Sequence, residues 1–96
     1  MKFAAIFLPI NIGPAATKNR FVVPPMGNNF ADADGRLSDQ SLAYYEARAK
    51  GGFGLITIEA TVVHDGAKGG PRKPCLYDDS TIDSFKRVAD ACHAHG

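Results

Sequence analysis

The chain has 96 residues, room for one domain at most with a modest core. Its 45% hydrophobic and 22% charged residues are ordinary for a globular protein, and a net charge of +1 gives no electrostatic grip on nucleic acid. The longest apolar run, Phe3 to Ile10, is too short to cross a bilayer and is followed by no small-residue cleavage site, so a soluble cytoplasmic chain is expected.

Residues 3–12 alternate weakly and are interrupted by Pro9, with Gly13 directly after them. They predict two short strand pieces joined by a turn, a hairpin covering one end of a core. Asn19 and Arg20 read as solvated residues leading into the first strong strand. Phe21 to Val23 is that strand, short and buried. It stops at Pro24-Pro25, because proline lacks the N–H that a central strand needs. Ligands of α/β folds sit just beyond the carboxyl ends of strands. Gly27, directly after Met26, would let a flat ligand approach the backbone, and it also suits an ordinary turn.

The stretch from Asn28 to Arg36 is polar. Asp32 and Asp34 alternate as in a calcium loop, but no glutamate closes the twelve-residue pattern, so a plain polar loop is expected. Ser38 is a plausible N-cap for a helix to Lys50, with Leu42, Tyr45 and Ala49 at helical spacing and Glu46–Lys50 as an i,i+4 pair. Gly51-Gly52 ends the helix. The tetrapeptide Gly51 to Gly54 follows a helix, whereas a phosphate-cradling glycine loop must follow a strand.

Gly54 to Val63 is nearly continuous, apolar and rich in β-branched residues, as in a strand covered on both faces of a parallel sheet. The order strand, helix, strand therefore predicts a βαβ unit. The long loop from His64 to Asp79 carries Lys68, Arg72 and Lys73, which suit solvent better than an anion. A second helix is predicted from Ser80, with Asp83 closing a short capping box and Ile82, Phe85, Val88, Ala89 and Cys92 as the buried stripe. Gly96 stands where a C′ residue belongs. Neither His93 and His95 nor Cys75 and Cys92 has a spacing that argues for metal or a dithiol.

Six stretches in this order resemble the old yellow enzyme family, flavin-dependent (β/α)8 barrels. They are Phe7 to Ile10 with Gly13, Lys18 to Arg20, Pro25 to Gly27, Tyr44 to Gly52, Gly54 to Ile56 with Glu59-Ala60, and His93 to Gly96. The wording is most similar to the branch of 2-enoate reductases, dienoyl-CoA reductases and NADH:flavin oxidoreductases. The resemblance implies an α/β fold made of the first two βα units of a TIM barrel after a short hairpin, with residues 1–96 forming the amino-terminal part of an FMN-binding domain.

It also implies FMN as cofactor, NAD(P)H as reductant and an activated alkene as substrate. Some longer relatives in that branch add a 4Fe-4S cluster and FAD. Pro24, Pro25, Met26 and Gly27 would back the flavin ring, and Ala60 would leave room for it. Many members carry threonine or cysteine at the position of Gly27, so that side-chain contact is missing here. A whole barrel takes about 250 residues. The family's flavin-binding glutamine, substrate-binding histidine, proton-donating tyrosine and phosphate site would lie after Gly96, and no catalytic residue is assigned within these residues. The competing expectation is a non-catalytic piece whose open sheet edges recruit another copy of itself. A self-standing α/β binding domain is disfavoured, because the second strand and second helix expect neighbours that the chain does not supply.

Overall fold

The computed structural model describes residues 2–67 and 70–96. Lys68 and Gly69, in the predicted basic loop, lie outside the described residues.

The amino-terminal hairpin lies further along than the sequence predicts. Ala4–Phe7 forms a 3-10 turn, and the antiparallel pair is β1, Ile10–Ile12, with β2, Ala15–Thr17. Gly13, at φ 59°, supplies the reversal in company with Pro14, so the glycine that looked like a break is the turn itself. The 3-10 turn before the hairpin is held to the rest by the Arg20 N–H donating to Ile6 O at 3.0 Å and by a row of rings, Phe7, Phe21 and Phe53. It covers the amino end of the strand that follows.

That strand, β3, is Val22–Val23, and its parallel partner, β4, is Leu55–Ile56. Both are shorter than the apolar runs that predict them. Pro24 can donate nothing to a ladder, so the pairing stops where β3 stops, and the β-branched residues beyond Ile56 run on without a ladder. Only Val23 of the first strand is buried, while Phe21 and Val22 are exposed. Val62, near the end of the second run, instead makes an isolated parallel bridge to Cys75.

The helix α1, Asp39–Lys50, begins and ends as its sequence predicts. Ser38 Oγ accepts from Ser41 N at 3.0 Å, and Gly52 takes φ 108° just past the carboxyl end. Tyr45 and Ala49 are buried and Leu42 is half-buried. The predicted Glu46–Lys50 pair is not what Glu46 makes. Its carboxylate meets His95 Nε2 at 3.3 Å across the helix pair.

The helix α2, Ile82–His93, follows a 3-10 turn at Asp79–Thr81. The predicted Ser80–Asp83 capping box does not form. Asp78 caps the turn by accepting from Ser80 N at 2.8 Å. Ser84 is buried and accepts from Leu37 N at 3.0 Å, whereas Ile82, expected in the stripe, is exposed. The core of the helix layer is Leu37, Tyr45 and Val88, with Ile56, Ile58, Phe85 and Cys92 packed around it. Burial pushes the Cys92 thiol up, with the Glu46 charge adding to the effect. Both cysteines are free. Among the described residues no helix is long and apolar enough to cross a membrane.

Two glycines are fixed by close approach. A Cβ on Gly35, at φ 89°, would lie 2.5 Å from Cys75 Cβ, and one on Gly54 would lie 2.6 Å from Asn19 O. Asn19, expected to be solvated, is a clamp. Its side chain donates to Gly52 O at 2.7 Å and accepts from Phe21 N at 3.1 Å, joining the start of β3 to the approach to β4.

Candidate functional site

Because β3 and β4 run parallel in the register Val22–Leu55 and Val23–Ile56, the segments that leave them emerge at the same end. This is the end opposite the hairpin. Beyond β3 the chain passes through Pro24, Pro25, Met26 and Gly27, all exposed, with Met26 at 52%. Met26 N donates back to Pro24 O at 2.9 Å, a tight three-residue turn that projects the segment outward. Asn28 Oδ1 then accepts from Phe30 N at 3.0 Å, and Asn29 takes the left-handed conformation at φ 58°, which asparagine tolerates. Ala60 is exposed on the second segment.

One residue joins the two segments, and the sequence marked it only as a carrier of the family resemblance, without a role in the site. Glu59 is 2% exposed, and its Oε2 accepts from Asn28 N at 3.1 Å. Its own N–H donates to Tyr45 Oη at 3.0 Å, and Asn28 Nδ2 reaches the same hydroxyl at 3.5 Å. Tyr45, buried in the core of the helix layer, thus anchors both strand-end segments from beneath. Burial, the largest influence on Tyr45, pushes its hydroxyl above the usual tyrosine range. The hydrogen bond from the Glu59 N–H opposes that effect, and the nearby Glu59 charge reinforces it. Glu59 Oε1 is buried and meets no donor. A carboxylate inside an otherwise apolar, β-branched run is the sequence signal that marks this residue, since lone charges are rarely buried without a role.

Gly27 lies against this carboxylate. A Cβ built there would stand 3.8 Å from Glu59 Oε2 and 3.5 Å from Lys73 Nζ. Among the described residues no acceptor takes the backbone N–H of Gly27 or of Ala60. The face therefore offers small residues, exposed backbone and unengaged donors, which suits a flat ligand rimmed with carbonyl oxygens and ring nitrogens. Those features fit an isoalloxazine ring, with Pro24 to Gly27 and Ala60 as the residues that would hold it.

The other charged groups lie elsewhere. A cleft of about 550 Å³ opens between the 30–40 segment and the start of α2, lined by Arg36, Arg72, Arg87, Asp39 and Asp83 among others. Arg87 pairs with Asp39 at 2.7 Å, and Arg72 Nη1 donates to Ala31 O at 3.4 Å, so both guanidinium groups hold the fold together. The loop of Asp32 and Asp34 closes on itself, with Asp32 N donating to Arg36 O and Asp34 pairing with Arg36. No group of three or more metal-ligating side chains occurs among the described residues. His64 pairs with Asp65 on the surface.

Comparison with known proteins shows the family. A sequence profile of the NADH:flavin oxidoreductase / NADH oxidase family matches residues 5–96. An NADH oxidase of Thermoanaerobacter brockii is 38% identical over 95 residues, covering 98% of this chain and 15% of that protein. The structure of a 2-naphthoyl-CoA reductase in complex with 2-naphthoyl-CoA superposes with a TM-score of 0.91 at 33% identity, over 96% of this chain and 14% of the other. That of old yellow enzyme from Pichia sp. AKU4542 gives 0.88 at 30% identity, over 96% and 24%. The chain thus spans between about a seventh and a quarter of the length of these relatives. Its parallel strands and helices are consistent with part of a (β/α)8 barrel, and the chain belongs to the NADH:flavin oxidoreductase / NADH oxidase family, with old yellow enzyme among its structural neighbours.

Proposed function

We propose that these residues form one wall of the flavin site of an FMN-dependent, NAD(P)H-using oxidoreductase that reduces activated C=C bonds. In this reading the β3–α1 and β4–α2 segments are the first two βα units of the barrel. Pro24, Pro25, Met26 and Gly27 support the ring from one strand end, and Ala60 does so from the next. The observation that carries the reading is the open face itself: small, exposed residues with unengaged N–H groups, fixed from below by Glu59 and Tyr45.

Bound there, FMN would supply hydride transfer between the nicotinamide and the alkene. The chain's own residues contribute shape and donors. Proline fixes the backbone direction, glycine and alanine permit close approach, and the Gly27 and Ala60 N–H groups are available to the electron-rich rim. The name of the 2-naphthoyl-CoA reductase supports a conjugated carbonyl substrate, and that of the NADH oxidase supports the nicotinamide as reductant. A 4Fe-4S cluster and FAD, if the whole protein has them, would be held outside residues 1–96.

The test is titration of the isotopically labelled chain with FMN into the millimolar range, followed by amide shifts. The largest changes are expected at Gly27, Asn28 and Ala60, with β1 and β2 unmoved. Changes gathered instead around Arg36, Arg72 and Arg87 would place the ligand in the other cleft and refute the wall. A second reading, in which the chain is inactive alone and self-associates, is favoured by the outer edges of the two-stranded parallel sheet. Sedimentation over a concentration series separates it from the first.

A further inference from the structure

The position on the wall that lacks a side chain also has two opposite charges near it, although they form no ion pair with each other. A Cβ at Gly27 would have Lys73 Nζ 3.5 Å away and Glu59 Oε2 3.8 Å away. Either distance is an ordinary contact, so a methyl group would fit, but a longer side chain would compete with the ammonium for the same space. Lys73 comes from the long loop after β4, is half-buried, and is absent from the ion pairs among the described residues. Glu59 is 2% exposed, uses one oxygen on Asn28 N, and has the other unpartnered. A carboxylate so buried is tolerated when a cation or further donors compensate it, and Lys73 is a cation that the fold brings alongside.

We infer that Lys73 is the cationic element of the ligand wall, and that Glu59 is the residue that positions it. The buried carboxylate holds the ammonium over Gly27, where the missing side chain leaves room. There the ammonium meets an electron-rich edge of the ligand, carbonyl oxygens or a ring carrying negative charge. Lysine suits this place because its head is a compact charge with three rotatable donors, and the flexible stem lets it follow the ligand. The inference rests on reading Pro24 to Gly27 and Ala60 as a flavin wall. It adds a charge to that wall from a loop that otherwise looks like solvated surface.

The experiment uses the full chain, labelled so that the Lys73 Cε signal and the Asn28 amide are both read, with FMN and riboflavin as probes. Glu59→Gln keeps an oxygen for Asn28 N–H and removes the charge. It is expected to move the Lys73 signal to that of a freely solvated lysine while Asn28 stays protected from hydrogen exchange. Lys73→Met is expected to weaken both flavins about tenfold, the effect of one charge-assisted hydrogen bond, and Lys73→Arg to restore part of the loss. Asn28 protection reports whether each variant is folded. An unchanged Lys73 signal in Glu59→Gln would overturn the positioning role. Lys73→Met binding both flavins as the parent chain does would overturn the ligand role. A loss confined to FMN would mean that the ammonium meets the phosphate, which overturns the ring-edge assignment. If neither flavin shifts Gly27 or Ala60 in the parent chain, the wall itself fails and takes the ligand role with it. The Glu59→Gln result still decides whether the two charges are coupled.

Discussion

In the layer formed by α1 and α2, demanding groups are met from within the protein. Ser38 caps the first helix, Ser84 takes the Leu37 N–H, and Cys75 fills the space left open by Gly35. At the carboxyl ends of β3 and β4, the Gly27 and Ala60 N–H groups meet no acceptor among the described residues, a buried carboxylate keeps one oxygen unpartnered, and all the wall residues but Met26 are small or cyclic. The two regions share Tyr45, whose ring belongs to the core and whose hydroxyl supports the open face. The contrast teaches that the open face is not a poorly packed part of the core. It is a separate surface, bonded from below to Glu59 and Tyr45 and left without acceptors above among the described residues, the arrangement that the proposed flavin wall requires.

The sharpest way to break the contrast is to disturb the packed side. Gly35→Ala adds a methyl 2.5 Å from Cys75 Cβ and also forces alanine into a left-handed conformation. Strain and overpacking together predict a loss of about 3 kcal/mol or more, read as a fall in the urea midpoint. Wild-type stability in this variant would show that the 35–75 contact is slack.

Tyr45→Phe tests the shared residue. It leaves the ring in the core but removes the acceptor of the Glu59 N–H, so a loss of about 1–3 kcal/mol is expected. Amide exchange should quicken at Glu59 and Asn28 more than at Val88. Equal quickening at all three would mean that the face and the core are one unit.

A smaller effect concerns the start of α2. Hydrogen bonds from the Ser80 hydroxyl and N–H hold the Asp78 carboxyl below its usual value. The unfolded chain binds the proton more readily, so the cap contributes in full above the ordinary carboxylate range. Its contribution is lost as pH falls through the lowered folded-state value. An NMR titration of Asp78 checks this. Titration in the ordinary range would remove the cap, and Asp78→Asn should abolish the pH dependence while keeping an acceptor.

The least disruptive change is Gly27→Ala. A methyl there meets only ordinary contacts, and stability is expected to stay within about 0.5 kcal/mol of the parent chain. Threonine at the same place should instead displace Lys73, visible in its Cε signal. The open face would thus change its chemistry with little change in the core.

The boundaries of α1 were legible because they are local. Ser38 can reach the N–H three residues on whatever surrounds it, and Gly52 can adopt a conformation that other residues resist. The end of the first strand was legible for the same reason, in Pro24-Pro25. The hairpin was misplaced because the apolar residues from Phe3 to Leu8 suggested strands, although they are exposed and only those after Pro9 pair. Both parallel strands were drawn too long, since β propensity is carried by each residue whereas a ladder needs a partner of matching length. The candidate site divided likewise. Pro24 to Gly27 and Ala60 could be named from order and wording, but the contacts of Tyr45 with Glu59, Glu59 with Asn28 and Lys73 with Gly27 span 14 to 46 positions of sequence.

By itself the sequence determined what each residue can do with its near neighbours. It set the helix caps, the strand end at the prolines, the small residues that leave a face open, and the family whose wording these stretches share. The tertiary structure decided which distant groups are brought together. It placed the Glu59 carboxylate under Asn28, the Tyr45 hydroxyl under both strand ends, Asn19 against Gly54, and the Lys73 ammonium beside Gly27. The physical reason is that caps and turns are short-range bonds within a few residues. Burial and pairing of charges depend instead on which strands lie side by side, and no local pattern encodes that.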